Sequence, residues 1–321
     1  MPASSSAVAG TSASGAEQHK SAEFVIKSVG VVGLGHMGHA FAANMVEDGY
    51  QVLVHDRDPR RIADLLPTGA RGAARLSDLA NCSVVLTSLP NDDALAAVTL
   101  APDGLASILP VNAVHISTST VSPVLSARVA GEHAGRGQDY VAAPVLGNPD
   151  FARSRKLFVL AAGAPSALVK VRPLLERLGQ RLFVIGEQAA SANLFKLAAN
   201  ALTATTLECM GEVLALLRKA EIDSQLAFEV LTNSLFDSRV HKSYGAKIVE
   251  ARYSPAGMAV PLAIKDLRLA LAEAERSAVP MPAASLVHDR LVAMAARGWS
   301  DLDWSALGLL AAVDAGLEDH R

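Results

Sequence analysis

The chain has 321 residues, half of them apolar and 4% aromatic, and a formal net charge of −3. That length accommodates two domains with separate cores. Interspersed charges of both signs exclude the basic footprint of a nucleic-acid binder, and no apolar run approaches the roughly 18 residues needed to cross a bilayer.

In chain order, residues 1–24 are rich in Ala, Ser and Gly with little to bury, which predicts a disordered tail. The tail lacks both the apolar core of a secretory signal and the arginines of a transit peptide, so a cytoplasmic location is expected. An apolar run at 29–32 then leads into Gly33-Leu34-Gly35-His36-Met37-Gly38, a helix-like stretch at 40–47, and a second apolar run at 52–55 that closes on Asp56. Strand, G-x-G-x-x-G, helix, strand and a late acid are the parts of a dinucleotide fingerprint. Gly33 allows the tight turn, Gly35 lets a pyrophosphate approach the backbone, and Gly38 lets helix and strand pack closely, with the helix amides facing the anion. After Asp56 come Arg57, Arg60 and Arg61. The acid favours the free ribose hydroxyls of NAD and the arginines favour the extra phosphate of NADP. Three guanidiniums against one carboxylate tip the expectation slightly to NADP, although Arg60 or Arg61 can equally begin a solvated helix.

Further short apolar runs at 84–88, 114–117, 140–142, 157–161 and 182–185 alternate with amphipathic stretches at 60–66, 123–133 and 167–178. This pattern predicts a mostly parallel, doubly wound sheet of Rossmann type over 25–187, covered by helices. Loops at 33–38, 56–61, 89–93, 117–122 and 143–150 should line one crevice at the strand ends. From 189 to about 220 there is no proline and one glycine, predicting a helix of ~45 Å. Helical patterns at 224–236, 240–250, 261–277, 281–297 and 305–318 follow. The fold class is therefore α/β, with an all-α C-terminal domain (188–321) joined through the long helix.

On that helix Lys196 and Asn200 stand four apart on one face. Leu194, Leu197, Ala198, Ala199 and Leu202 surround them. A desolvated lysine there would have a lowered pKa suited to general acid/base work; a lysine on an exposed face would only snorkel into water. The residues alone leave both readings open.

Several of these motifs together resemble the β-hydroxyacid dehydrogenase family, which includes 3-hydroxyisobutyrate dehydrogenase, tartronate semialdehyde reductase and the glyoxylate/succinic semialdehyde reductases. The resemblance runs from about residue 28 to 310. It rests on the Gly33–Gly38 turn, Leu89-Pro90, Ser119-Thr120 with Pro123, Ala143-Pro144-Val145 with Gly147, Lys196 with Asn200, and Lys265-Asp266-Leu267. It implies a C-terminal domain of the 6-phosphogluconate dehydrogenase type and reversible hydride transfer between a nicotinamide and a small hydroxy acid, aldehyde or related carbonyl compound. By the same resemblance Lys196 is the catalytic acid/base and Asn200 orients it or the substrate. Ser119, Val145, Leu146, Gly147 and Asn148 would meet the substrate. Leu89, Pro90, Thr120 and Lys265 would join the glycine turn, Asp56, Arg57 and Arg61 in holding NADP or NAD.

The chain departs from the family in its substrate loop. Leu146 stands where a serine commonly helps hold a carboxylate, Arg155-Lys156 replaces a usual Gly-Thr, and Ala190 and Ala192 replace two glycines. Two alternatives follow: an imine reductase-like enzyme, although that group generally lacks the lysine, or a non-catalytic dinucleotide-binding scaffold. No metal is expected, since His133, His241, His288 and His320 show no ligand spacing. His36 should point away from the phosphates and His115 should be a satisfied core histidine. Cys82 and Cys209 read as buried free thiols, Trp299 and Trp304 as packing or interface residues, and Glu273, Glu275 and Arg276 as a solvated face. The apolar long helix and Ala-rich C-terminal region predict a homodimer or homotetramer. No nucleic-acid or membrane partner is expected.

Overall fold

The structure, a computed structural model, describes residues 24–317; the expected tail lies almost entirely outside them. The first half alternates β1 (Ser28–Val32), α1 (His36–Glu47), β2 (Gln51–His55), α2 (Pro59–Ala63), β3 (Arg71–Gly72), β4 (Val84–Thr87), α3 (Asp92–Leu100), α4 (Leu105–Ile108) and β5 (Val114–Ser117). It continues through α5 (Pro123–Ala134), β6 (Asp139–Ala142), β7 (Val145–Leu146), α6 (Pro149–Arg153), β8 (Phe158–Gly163), α7 (Pro165–Arg177) and β9 (Arg181–Gly186). The central strands are short runs of Val, Leu and Ile buried on both faces, as a sheet covered on both sides requires. The order β3-β2-β1-β4-β5-β6 is parallel throughout and reverses beside β1, so the crevice opens at the glycine turn.

The sheet then changes character. Val141 faces Gly163, Ala142 faces Ala162, Val145 faces Val159 and Leu146 faces Phe158, a single antiparallel register shared by β6 and β7 on β8. Pro144 interrupts this strand because it has no N–H to donate, yet its carbonyl still accepts from Leu160 N at 2.9 Å. The chain leaves the parallel sheet there, and β7 leads through Gly147 to Asn148, the N-cap of α6. The sequence reading missed β3 and β7, each two residues long, and α3, α4 and α6.

α8 (Ala189–Lys219) is the expected long helix, and α9 (Ser224–Thr232), α10 (Arg239–Val249), α11 (Val260–Arg276), α12 (Pro282–Ala296) and α13 (Leu307–Asp314) pack around its C-terminal part. Ala189 and Ala192 belong to a cluster with Val121, Leu125, Tyr140 and Ala162 of the sheet region. Ala204 and Leu207 belong to another with Val260, Leu291, Trp304 and Leu310. The lone glycine of α8 has a steric reason: a Cβ on Gly211 would lie 2.7 Å from the Cα of Gly308 on α13.

Three expectations need correction. Cys209 is exposed, whereas Cys82 is buried; both are free. Glu273 is buried and bound to Arg276 (Nε to Oε1, 2.9 Å), because α11 turns it inward while Glu275 and Arg276 face water. Leu194 and Leu202 are exposed, so they do not shield Lys196; at 100° per residue they occupy a different face from Leu197, which is fully buried.

His115 is a satisfied core residue, as expected, but it has a partner the sequence did not reveal. Gln138 Oε1 can only accept, so His133 Nδ1 donates to it (2.7 Å). His133 Nε2 must then accept from His115 Nδ1 (2.9 Å), and His115 Nε2 accepts from the Thr87 hydroxyl (2.9 Å). Both rings are held neutral. Burial pushes His115 well below its ordinary value, with His133 adding to the effect, and burial likewise lowers His133.

Candidate active site

The glycine turn is built by backbone sterics. Gly33 has φ +87°, and a Cβ there would lie 2.4 Å from the Ser88 carbonyl oxygen. A Cβ on Gly38 would lie 1.8 Å from the Gly33 carbonyl oxygen. Gly35 differs: the nearest atom to its absent Cβ is Arg61 Nη1 at 3.9 Å, so its surface is open. Gly35 also caps α1 with no side-chain hydrogen bond, and the first turn carries no acid, leaving the first-turn amides of this twelve-residue helix free for an anion. Leu34 is buried, Met37 half-buried and His36 exposed.

At the end of β2, Asp56 is buried, and its two oxygens accept from Leu34 N (2.7 Å) and Asp58 N (2.8 Å). Its side chain thus fixes the glycine turn against the next loop and keeps spare lone pairs. Arg61 Nη1 lies 3.6 Å from Asp56 Oδ2. Arg57 is exposed, and Arg60 folds back onto Asp58 through Nε (3.0 Å) and Nη2 (2.9 Å). These residues fit a dinucleotide: the open glycine, the free helix amides and the charged β2 end face one crevice.

The opposite wall is built from side chains. Lys196 is nine-tenths buried, and its ammonium donates to Asn200 Oδ1 at 3.0 Å. Asn200 Nδ2 donates to Asp266 Oδ2 at 2.6 Å, and Lys265 Nζ stands 2.9 Å from Asp266 Oδ1. Burial lowers the Lys196 pKa to about 8; Asp266 opposes the shift and Lys265 adds to it. Lys265 also reaches across the crevice to the carbonyls of Pro90 (3.0 Å) and Thr120 (2.6 Å). Ser119 is buried and accepts from Leu89 N at 2.9 Å, which joins the loops after β4 and β5.

Leu89, Pro90, Ser119, Thr120, Lys196, Asn200 and Lys265 are thus gathered in one neighbourhood. Val145, Leu146, Gly147 and Asn148 form the adjacent loop and, among the described residues, exchange no hydrogen bond with Lys196 or Asn200. Asn148 Oδ1 instead caps α6 through Phe151 N at 2.9 Å. Arg155 takes φ +57°, a conformation a glycine would adopt freely, and its guanidinium holds Asp48 (2.7 Å) and the Asn44 carbonyl (3.0 Å). Two residues of the site had no role of their own in the sequence reading. Asp266, quoted there only within the Lys265-Asp266-Leu267 motif, supplies the charge behind Asn200. Asn193, one turn before Lys196, donates Nδ2 to the Ser119 carbonyl (3.2 Å) and keeps a buried, unpartnered Oδ1. Its i−3 spacing from Lys196 was the available signal.

Comparison with known proteins agrees with this geometry. Residues 28–186 match the model of the NAD binding domain of 6-phosphogluconate dehydrogenase. Residues 190–310 match that of the NAD-binding domain of NADP-dependent 3-hydroxyisobutyrate dehydrogenase. An uncharacterized oxidoreductase of Bacillus subtilis, YfjR, is 37% identical over 281 residues, covering 87% of this chain and 98% of that protein. The 3-hydroxyisobutyrate dehydrogenase of Pseudomonas aeruginosa is 30% identical, covering 87% and 96%. The crystal structure of 3-hydroxyisobutyrate dehydrogenase from Salmonella typhimurium superposes with a TM-score of 0.80 at 24% identity, covering 88% and 99%.

Fold and site together define an NAD(P)-dependent oxidoreductase acting on CH–OH groups. The chain belongs to the β-hydroxyacid dehydrogenase family.

Proposed function

We propose that this enzyme reversibly interconverts a small hydroxy acid and its aldehyde or keto form, with Lys196 as the general acid/base. Bound NAD(P) would supply or accept a hydride at its nicotinamide ring; the glycine turn, Asp56, Arg57, Arg61, Leu89, Pro90, Thr120 and Lys265 would hold it. In reduction, Lys196 Nζ gives a proton to the substrate oxygen as the carbonyl carbon becomes an alcohol carbon. In oxidation the neutral amine takes that proton back. Asn200 holds Nζ in place through Oδ1 and is itself held by Asp266. Ser119 and the 145–148 loop would bound the substrate.

One observation carries the reading: a buried ammonium with a single side-chain acceptor and a pKa lowered to about 8. Near neutral pH such a group exchanges its proton readily. Lys196→Ala should lower kcat by roughly 10²- to 10⁴-fold, while NADPH affinity measured by fluorescence stays within about twofold. Unchanged turnover would remove Lys196 from the chemistry. Oxidation by the wild type should speed up as pH rises through about 8 and reduction should slow, with both limbs absent in the variant.

Three finer points belong to the same reading. Arg61 stands beside Gly35, which supports the lean to NADP. Leu202, Leu216, Leu226, Val230 and Leu235 leave apolar surface exposed on α8 and the segment after it, which supports a homodimer or homotetramer; sedimentation as a monomer at micromolar concentration would overturn that assembly. No helix among the described residues is long and apolar enough to cross a membrane, in keeping with a cytoplasmic enzyme.

A further inference from the structure

We propose that Lys247 is a specificity-determining residue, holding an anionic group at the end of the substrate remote from the reacting carbon; the inference rests on the oxidoreductase reading above. The observation is a junction between α10 and the substrate loop. A Cβ built on Gly257 would lie 3.8 Å from Lys247 Nζ, 3.8 Å from Asn148 Cβ and 3.5 Å from Asp303 Oδ2. The ammonium and the end of the 145–148 loop therefore flank one glycine, no farther apart than those two legs together.

Asp303 fixes this arrangement. It is fully buried, and its Oδ2 accepts from Lys247 (3.0 Å), Gly257 N (2.9 Å) and Met258 N (3.2 Å). Its Oδ1 accepts from Ser305 N (3.1 Å) and Ser305 Oγ (2.6 Å). The carboxylate is committed, whereas the ammonium, which also lies 5.4 Å from the centroid of the Tyr244 ring, donates one hydrogen bond among the described residues. Side-chain exposure is 15% for Lys247 and 0% for Asp303, so the accessible end of the pair is the cation.

The loop itself has little else with which to hold an anion. Leu146 offers no donor from its side chain, and the Asn148 side-chain oxygen is occupied by Phe151 N. Arg153 is bound to Glu47 and Asn44, and Arg155 to Asp48 and Asn44. The substrate class is an aldehyde or ketone, or the matching alcohol, bearing a carboxylate or other anionic oxygen group at its far end.

The test compares two aldehydes of equal length, succinic semialdehyde and its primary amide, in wild type, Lys247→Met and Lys247→Arg. The wild type should favour the carboxylate. In Lys247→Met the ratio of kcat/KM, charged over neutral, should fall at least tenfold, mainly through KM, and Lys247→Arg should retain most of it. An unchanged ratio in Lys247→Met, or equal loss on both substrates, overturns the proposal. Because Lys247→Met strands a buried carboxylate, Lys247→Met/Asp303→Asn reads the same ratio in a fold without that charge. Calorimetric binding of glutarate to the NADP⁺-loaded protein is an arm independent of turnover, and Lys247→Met should weaken it at least tenfold. If the wild type consumes neither NADPH nor NADH with any carbonyl compound, the oxidoreductase reading fails. Glutarate binding that ignores Lys247→Met overturns the inference on its own.

Discussion

The two walls of the crevice are made by opposite means. The pyrophosphate part of the dinucleotide wall is backbone: a turn, three glycines and the free first-turn amides of α1, all within a dozen residues of one another. The chemical wall is a relay of long side chains, Lys196 to Asn200 to Asp266 to Lys265, ending on carbonyls contributed by loops over 140 residues earlier in the chain. A backbone site tolerates almost any neighbour but no added atom. A side-chain site tolerates changes of size but not the loss of a charge or a donor.

The largest effect should come from adding one methyl to the backbone wall. Gly38→Ala places a carbon within bonding-like distance of the Gly33 oxygen, so α1 must move. NADPH affinity should fall by ~100-fold or more, a loss consistent with a displaced anion site, and a fluorescence titration checks it. Asp266→Asn probes the other wall at constant size. Removing the charge that holds the Lys196 pKa up should move the alkaline limit of reduction below about 8, by roughly one pH unit. It should also cut kcat about tenfold; a pH–rate profile that stays put would remove Asp266 from the relay.

The buried histidines give a smaller effect, read as stability rather than rate. Both have folded pKa values below their ordinary 6.5, so below pH 6.5 the unfolded chain takes up protons the fold refuses. Their contribution is held above that pH and lost as pH falls. Melting temperature should decline between pH 7 and 5, less steeply in His133→Asn. Last, Arg61→Ala should weaken NADPH by about fivefold, as expected for one guanidinium–phosphate contact, and NADH less. Equal weakening of both would remove the lean to NADP.

The same contrast explains what the sequence disclosed. The glycine turn was legible because part of its cause is local: a Cβ on Gly38 would strike the carbonyl of Gly33, five residues earlier, and Gly33 itself takes a positive φ. Lys196 and Asn200 were legible as a pair on one face, but the reason given for burial was partly wrong. Leu194 and Leu202 point outward, and the lysine is enclosed by the packing of α8 against both regions. Asp303, Lys247 and the role of Asp266, which was legible only as a member of the Lys265-Asp266-Leu267 motif, were hidden because their partners lie 46 to 66 residues away. The short β7 and α6 were missed because Pro144 and Pro149 read as a loop, while the register of β8 keeps one of them in the sheet.

α8 has a metrical consequence. Its packing passes from the sheet cluster at Ala192 to the helical clusters at Leu197, and Lys196 stands in the turn between. Asn193 moors that turn to the Ser119 carbonyl, and Lys196 follows three steps on, roughly 4.5 Å along an axis that cannot stretch. The amine is measured out from the nucleotide side by a rigid ruler. Drift of loops and lengths in the outer helices can therefore occur without moving the yardstick that spaces Lys196 from the Ser119 loop.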